Sequence, residues 1–249
     1  MKKINILLAI LILFTLKLSA QPDYKAIAPF FKKYISEEGI VDYKALKKNK
    51  SEFEKILKKF TSTPPKEDWY KNERLAYWLN VYNLQMMWLL AENYPSKNIM
   101  DLYDGKIWQQ KCLKIDNKTY CLDEIEKNIL RKEWNEPRLI FALYSGAMSS
   151  PTLLNDVFTP ANVYSNFELL TKRFINSPQN IITEEKIELS KIFDWYKADF
   201  KDVAIFINKY SKTKIATDAK ISYQEFNWKL KEAEIKPKIT PTIPVVPAF

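Results

Sequence analysis

The chain has no histidine, only three glycines and only two cysteines in 249 residues. Without an imidazole, neither a Ser-His-Asp nor a Cys-His nucleophile can be assembled, and zinc sites that rely on His ligands are excluded. The glycines stand alone at Gly39, Gly105 and Gly146. No phosphate-cradling loop or dinucleotide-binding turn can therefore form. Two cysteines without histidine also fall short of a four-ligand Cys/His zinc site. Carboxylates can hold a hard cation, but Asp101-Leu102-Tyr103-Asp104-Gly105 lacks the alternating acids of a calcium loop and reads as a turn. No metal or other cofactor is expected.

What is present begins with an address. Lys2 and Lys3 precede an uncharged stretch from Ile4 to Leu16, and Leu18-Ser19-Ala20 offers a small residue for cleavage before Gln21. Residues 1–20 read as a signal peptide. The apolar run is shorter than the roughly 20 residues a spanning helix needs, and Lys17 closes it, so no transmembrane segment is expected in the mature chain. No cysteine follows directly to take a lipid anchor. The expected location is periplasmic or extracellular.

Removing Lys2, Lys3 and Lys17 lowers the formal net charge from +9 to +6. The remaining lysines are scattered and often interleaved with glutamate, the pattern of solvated helix faces. A nucleic-acid site needs clustered basic residues on a recognisable module, so no nucleic-acid partner is expected. The expected partner is an envelope protein or a small ligand.

Export bears on the cysteines. In Lys111-Cys112-Leu113-Lys114-Ile115-Asp116-Asn117-Lys118-Thr119-Tyr120-Cys121-Leu122, two alternating segments flank Asp116-Asn117, a two-residue hairpin turn. Counting outward pairs Ile115 with Lys118, Lys114 with Thr119, Leu113 with Tyr120 and Cys112 with Cys121. The cysteines then fall at a non-hydrogen-bonded pair, where side chains approach closest. A Cys112–Cys121 disulfide is expected, worth roughly 2–3 kcal/mol; two free thiols packed in a core are the alternative.

The remainder reads as an α+β fold, a mainly helical single domain over residues 21–235 with one or two small β-hairpins and a proline-rich tail at 236–249. Tyr24 to Tyr34 and Ser51 to Phe60 carry apolar residues at helical spacing. After Pro64-Pro65 comes the strongest helix, Lys71 to Tyr94, with Leu75, Trp78, Leu79, Tyr82, Met86, Leu89 and Leu90 on one stripe. Asp123 is expected to cap a short helix to Leu130. A helix over Phe167 to Ile175 opens near Thr159-Pro160. Ile181 to Thr183 and Lys186 to Leu189 flank a second hairpin turn at Glu184-Glu185, and a helical pair runs from Ser190 to Tyr210 with a break near Ala198 to Lys201.

Some polar residues interrupt this pattern. Asn80 and Asn83 share a helix face. They either line a pocket or satisfy backbone groups of a loop crossing the helix, and the second reading is favoured. Asp194-Trp195-Tyr196 and Asp199-Phe200 carry the same ambiguity between site and core.

Taken in order, several segments resemble the bacterial family known as domain of unknown function 547. They are Glu73-Arg74-Leu75-Ala76-Tyr77-Trp78-Leu79-Asn80-Val81-Tyr82-Asn83, Tyr94-Pro95, Leu122-Asp123-Glu124-Ile125-Glu126 with Leu130-Arg131, and residues 137–151. Arg173-Phe174-Ile175-Asn176, Leu189 to Tyr196 and Asp199-Phe200 follow, so the resemblance spans about residues 70–210. It implies no substrate. The family's usual central pattern is Arg-x-His-Phe-Ala-Leu-x-Cys with a second cysteine just before proline. Arg138 is kept here, but those three positions hold Ile140, Ser145 and Ser150. A thiol beside an imidazole supports nucleophilic or redox chemistry, and its joint loss implies a degenerate member.

The favoured function is therefore a non-catalytic, pseudoenzyme-like binding or scaffold protein, with a candidate pocket at Asn80, Asn83, Arg138, Ser145 and Ser150. One alternative is a hydrolase or transferase using Ser145 or Ser150 with a lysine, or with a carboxylate such as Glu73 or Asp194. Another is a structural or assembly component of the cell envelope, attached through its tail.

Overall fold

Asp23 accepts a hydrogen bond from the Ala26 amide at 3.0 Å and so starts α1 (Tyr24–Tyr34), whose Ile27, Phe30, Phe31 and Tyr34 form one buried stripe. The computed structural model describes residues 21–183 and 186–232. The expected signal peptide, the proline-rich tail and the Glu184-Glu185 turn lie outside the described residues. Asp42 caps α2 (Tyr43–Lys48) in the same way, and α3 (Lys50–Thr61) follows, burying Phe53, Ile56 and Phe60.

The long helix α4 (Lys71–Glu92) is the centre of the molecule. Its first turn is tied down by Glu73, which accepts from the Tyr70 amide at 2.7 Å. The expected apolar stripe is buried, but so is every other residue from Leu75 to Met87. A helix covered on all sides is a core helix rather than an amphipathic one. Here α2 and α3 pack on it, as do α7 (Val163–Ile175) and a π-helical turn at Ile125–Leu130.

The first hairpin forms in the expected register. β1 (Leu113–Ile115) and β2 (Lys118–Tyr120) pair Leu113 with Tyr120, Lys114 with Thr119 and Ile115 with Lys118. Asp116 takes the positive φ of 51° that a two-residue turn requires. The expected disulfide is not there: Cys112 and Cys121 are both free thiols. The ladder ends one pair short, because the Cys112 amide bonds to the Tyr120 carbonyl, a slip of one residue, rather than facing Cys121. Cys112 Sγ is instead held by the Gln110 carbonyl and Gln85 Nε2, and burial pushes its thiol up to about 11.

Cys121 is the N-cap of α5 (Leu122–Glu124), and Glu124 accepts from the Cys121 amide at 3.0 Å. Asp123, expected to be the cap, lies inside the helix and pairs with Lys127 one turn on. α5 passes into the π-helical turn and then into α6 (Arg131–Glu133).

A 3-10 helix at Pro137–Ala142 packs against α7. Thr159 and Asn162 exchange side-chain to backbone hydrogen bonds at the entrance of α7, which begins three residues after Pro160. The second hairpin exists as β3 (Ile181–Ile182) antiparallel to β4 (Ile187–Leu189). β5 (Ser222–Tyr223) adds a parallel third strand that the local sequence does not announce. The region from Ser190 to Tyr210 breaks into α8 (Ile192–Trp195), α9 (Lys197–Phe200) and α10 (Val203–Tyr210), with Lys201 at φ 60° between the last two. The result is a mainly helical α+β fold around one hydrophobic core.

One long-range feature shapes the site. Residues 226–231 thread between two loops as a strap: Ile99 N–H donates to the Trp228 carbonyl, Met148 N–H to Lys229, Leu230 N–H to Lys97 and Lys231 N–H to Gly146. Gly146 sits at φ 77°, and a Cβ there would run into Leu90 and Tyr43, so this turn depends on glycine.

Candidate functional site

The strap closes one side of a cavity of about 360 Å³. Phe226 and Trp228, two residues apart on an extended segment, point to the same side and both line it. Trp108 meets Trp228 edge to face at 5.8 Å, and Trp195, 48% exposed at the rim, stacks on Trp228 at 5.8 Å. Tyr82 of α4, Ile192 of α8, Tyr196, Ile140, Leu143, Ser145 and Pro151 complete the largely apolar wall.

The polar part of that wall comes from the helical stretch after Cys121. Asp123, Glu126 and Lys127 are three and four residues apart and share the face turned to the cavity. A π-helical turn at this place is a common mark of functional sites. Asp123 and Lys127 neutralise each other at 2.9 Å. Glu126 is 5% exposed and accepts a 2.9 Å hydrogen bond from the Tyr196 hydroxyl. Burial raises its carboxyl above the ordinary range, against the smaller opposing pull of Tyr196, Arg131 and Lys127. Tyr82 and Tyr196 are raised too, chiefly by burial and next by Glu126. Arg131, the nearest guanidinium, is already committed: it donates to both Asp199 oxygens at 2.7 Å and lies over the Tyr196 ring.

Of the residues the sequence put forward, Ile140 and Ser145 line the cavity together. The Ser145 hydroxyl is shielded from solvent and has no hydrogen-bond partner among the described residues. The others are placed elsewhere. Asn80 donates to the carbonyls of Ala76 and Phe158 and accepts from the Phe158 amide; Asn83 donates to the Ala142 carbonyl and accepts from the Tyr144 amide. Both clamp loops that cross α4, as the structural reading holds, and neither is among the cavity's lining residues. Arg138 spans Glu136 and Glu168. Ser150 is buried and donates to the Pro151 carbonyl at 3.1 Å.

Sequence reasoning misses Glu126, Trp108, Phe226, Trp228 and Lys231. Glu126 carried one available signal, an acid at the helical spacing of the apolar positions Leu122, Ile125 and Leu130. Lys231 is pushed down to about 8 by burial, and its ammonium donates to the Ser150 carbonyl at 2.9 Å. Among the described residues no cluster of His, Cys, Asp and Glu could hold a metal ion, and no helix is long and apolar enough to cross a membrane.

Residues 66–175 match the sequence model of a family described as a protein of unknown function, DUF547. The match includes the central segment with Ile140, Ser145 and Ser150 and ends before Leu189, short of the reach expected from the later motifs. No curated protein and no solved structure matches the chain.

Proposed function

We propose, taking residues 66–175 as a DUF547 domain, that the protein is an exported, non-catalytic member of the family that binds a ligand in the cavity beside Ile140 and Ser145. The observation that carries this reading is the state of Ser145. It lines the cavity, yet its hydroxyl has no partner among the described residues, and a serine without a base is a poor nucleophile.

The candidate bases are occupied elsewhere. Glu73 accepts from the Tyr70 amide, and Asp194 pairs with Lys191 at 2.9 Å. Among the described residues, Lys231 is the one lysine close to a motif serine with a lowered proton affinity, but it contacts the carbonyl of Ser150 while the Ser150 hydroxyl points to Pro151. Loss of the family's His and first Cys at Ile140 and Ser145 then leaves that stretch of the cavity wall without a base or a thiol, while Ser150 lies off the wall. Export is supported by the charge pattern and apolar run of residues 1–20.

Two measurements test this. Fusion of residues 1–20 to a phosphatase that is active only outside the cytoplasm should give active enzyme; an inactive fusion contradicts export. The purified protein should leave generic ester and amide substrates unhydrolysed. Hydrolysis that disappears in a folded Ser145→Ala variant would overturn the non-catalytic reading.

A further inference from the structure

We propose that the cavity binds a compact organic ammonium ion, with Glu126 as its counter-charge and Trp108, Trp195 and Trp228 as its aromatic walls. The proposal rests on the binding reading above and names the class of ligand.

Charge is the first argument. Glu126 lies on the wall, 5% exposed, and its hydrogen bond comes from a neutral hydroxyl, Tyr196. Among the described residues no lysine or arginine lies within ion-pair distance of it. The nearby cations are already neutralised, Lys127 by Asp123 and Arg131 by Asp199. An uncompensated buried carboxyl is costly, and a ligand cation relieves that cost.

The walls supply the second argument. Aromatic rings attract ammonium groups through their quadrupoles, most strongly tryptophan. Three tryptophans reach this cavity from three separate parts of the chain, a 3-10 turn, α8 and the strap.

Other ligand classes fit less well. An anion would face Glu126. A sugar would need several free directional groups, but the Tyr196 hydroxyl is already spent on Glu126, Asp123 and Lys127 hold each other, and the Ser145 hydroxyl is shielded. A neutral apolar ligand would leave the carboxyl without a counter-charge. The volume of about 360 Å³ suits a small molecule rather than a peptide.

Acid should weaken binding, because an ammonium ion requires the ionised form of Glu126. The groups acting on that carboxyl are Tyr196, Arg131, Lys127 and Asp123, with the neutral Tyr82 hydroxyl facing it from α4, and protonating Glu126 removes the counter-charge.

The test is calorimetric titration of the purified protein with choline and with 3,3-dimethylbutan-1-ol, its uncharged carbon isostere. Choline should bind about tenfold tighter or more. Glu126→Gln should erase that preference, and Trp195→Ala, a substitution at an exposed rim residue, should weaken choline more than the isostere. Equal or tighter binding of the isostere would overturn the ammonium proposal and leave the binding reading standing. If neither compound binds at millimolar concentration, the ammonium proposal fails, while the binding reading, which rests on the cavity and not on the ligand's charge, is left standing.

Discussion

The asparagines of α4 and the acidic turn at Glu126 both bring polar atoms into an apolar interior, and they are partnered in opposite ways. At Asn80 and Asn83 each amide both donates to and accepts from a crossing loop, so side chain and backbone satisfy one another. At the cavity, Glu126 has one hydroxyl donor and no counter-ion within ion-pair distance among the described residues. Complete pairing belongs to architecture. Incomplete pairing beside an open volume leaves interactions for a ligand to complete.

The largest expected effect breaks the first region. Asn83→Ala removes a donor to the Ala142 carbonyl and an acceptor for the Tyr144 amide, leaving two buried backbone groups without partners. Urea unfolding should register a loss of about 2–4 kcal/mol. A loss below about 1 kcal/mol would mean that water replaces the clamp, and the contrast between the two regions would weaken.

A smaller effect sharpens the second region. Glu124 and Glu126, two positions apart, shift in opposite directions. Glu124, held by Lys111 and the Cys121 amide, is lowered from 4.5 to about 2. Its contribution to stability is complete above about pH 4.5 and is lost as pH falls toward about 2. Glu126 is raised by burial, so the folded state retains its proton longer than the unfolded state does. That favours folding at low pH, and the benefit is lost as pH rises through the raised value. Glu126→Gln should therefore unfold at an equal or higher urea concentration than the wild type at neutral pH. Glu124→Gln should be slightly less stable there and should lose part of the wild type's acid sensitivity. A marked destabilisation by Glu126→Gln would identify that carboxylate as a structural element like the asparagines.

How far the sequence revealed each region follows from the range of the interactions involved. The helix at Tyr24–Tyr34 and the register of Leu113 to Tyr120 rest on local spacing and appear as expected. The clamping role of Asn80 and Asn83 was legible because two polar residues on one face of a core helix need partners. Cys112 and Cys121 misled because a one-residue slip at the end of the ladder has no local signature. The cavity was half legible. Ile140 and Ser145 stood out against the family's pattern, but Phe226 and Trp228 arrive on a strap whose partners lie some eighty and more than a hundred residues earlier in the chain. The acidic turn was hidden for a related reason, since Glu126 gains its character from burial against Tyr196.

The most direct test of the central claim fills the cavity. Ile140→Phe adds volume to a wall residue that makes no hydrogen bond through its side chain, and overpacking of this kind should cost no more than about 1–3 kcal/mol. Choline titration of this variant, with urea unfolding measured on the same sample, should give a folded protein that has lost the calorimetric response. A folded Ile140→Phe protein that binds choline as the wild type does would contradict the assignment of this cavity as the binding site.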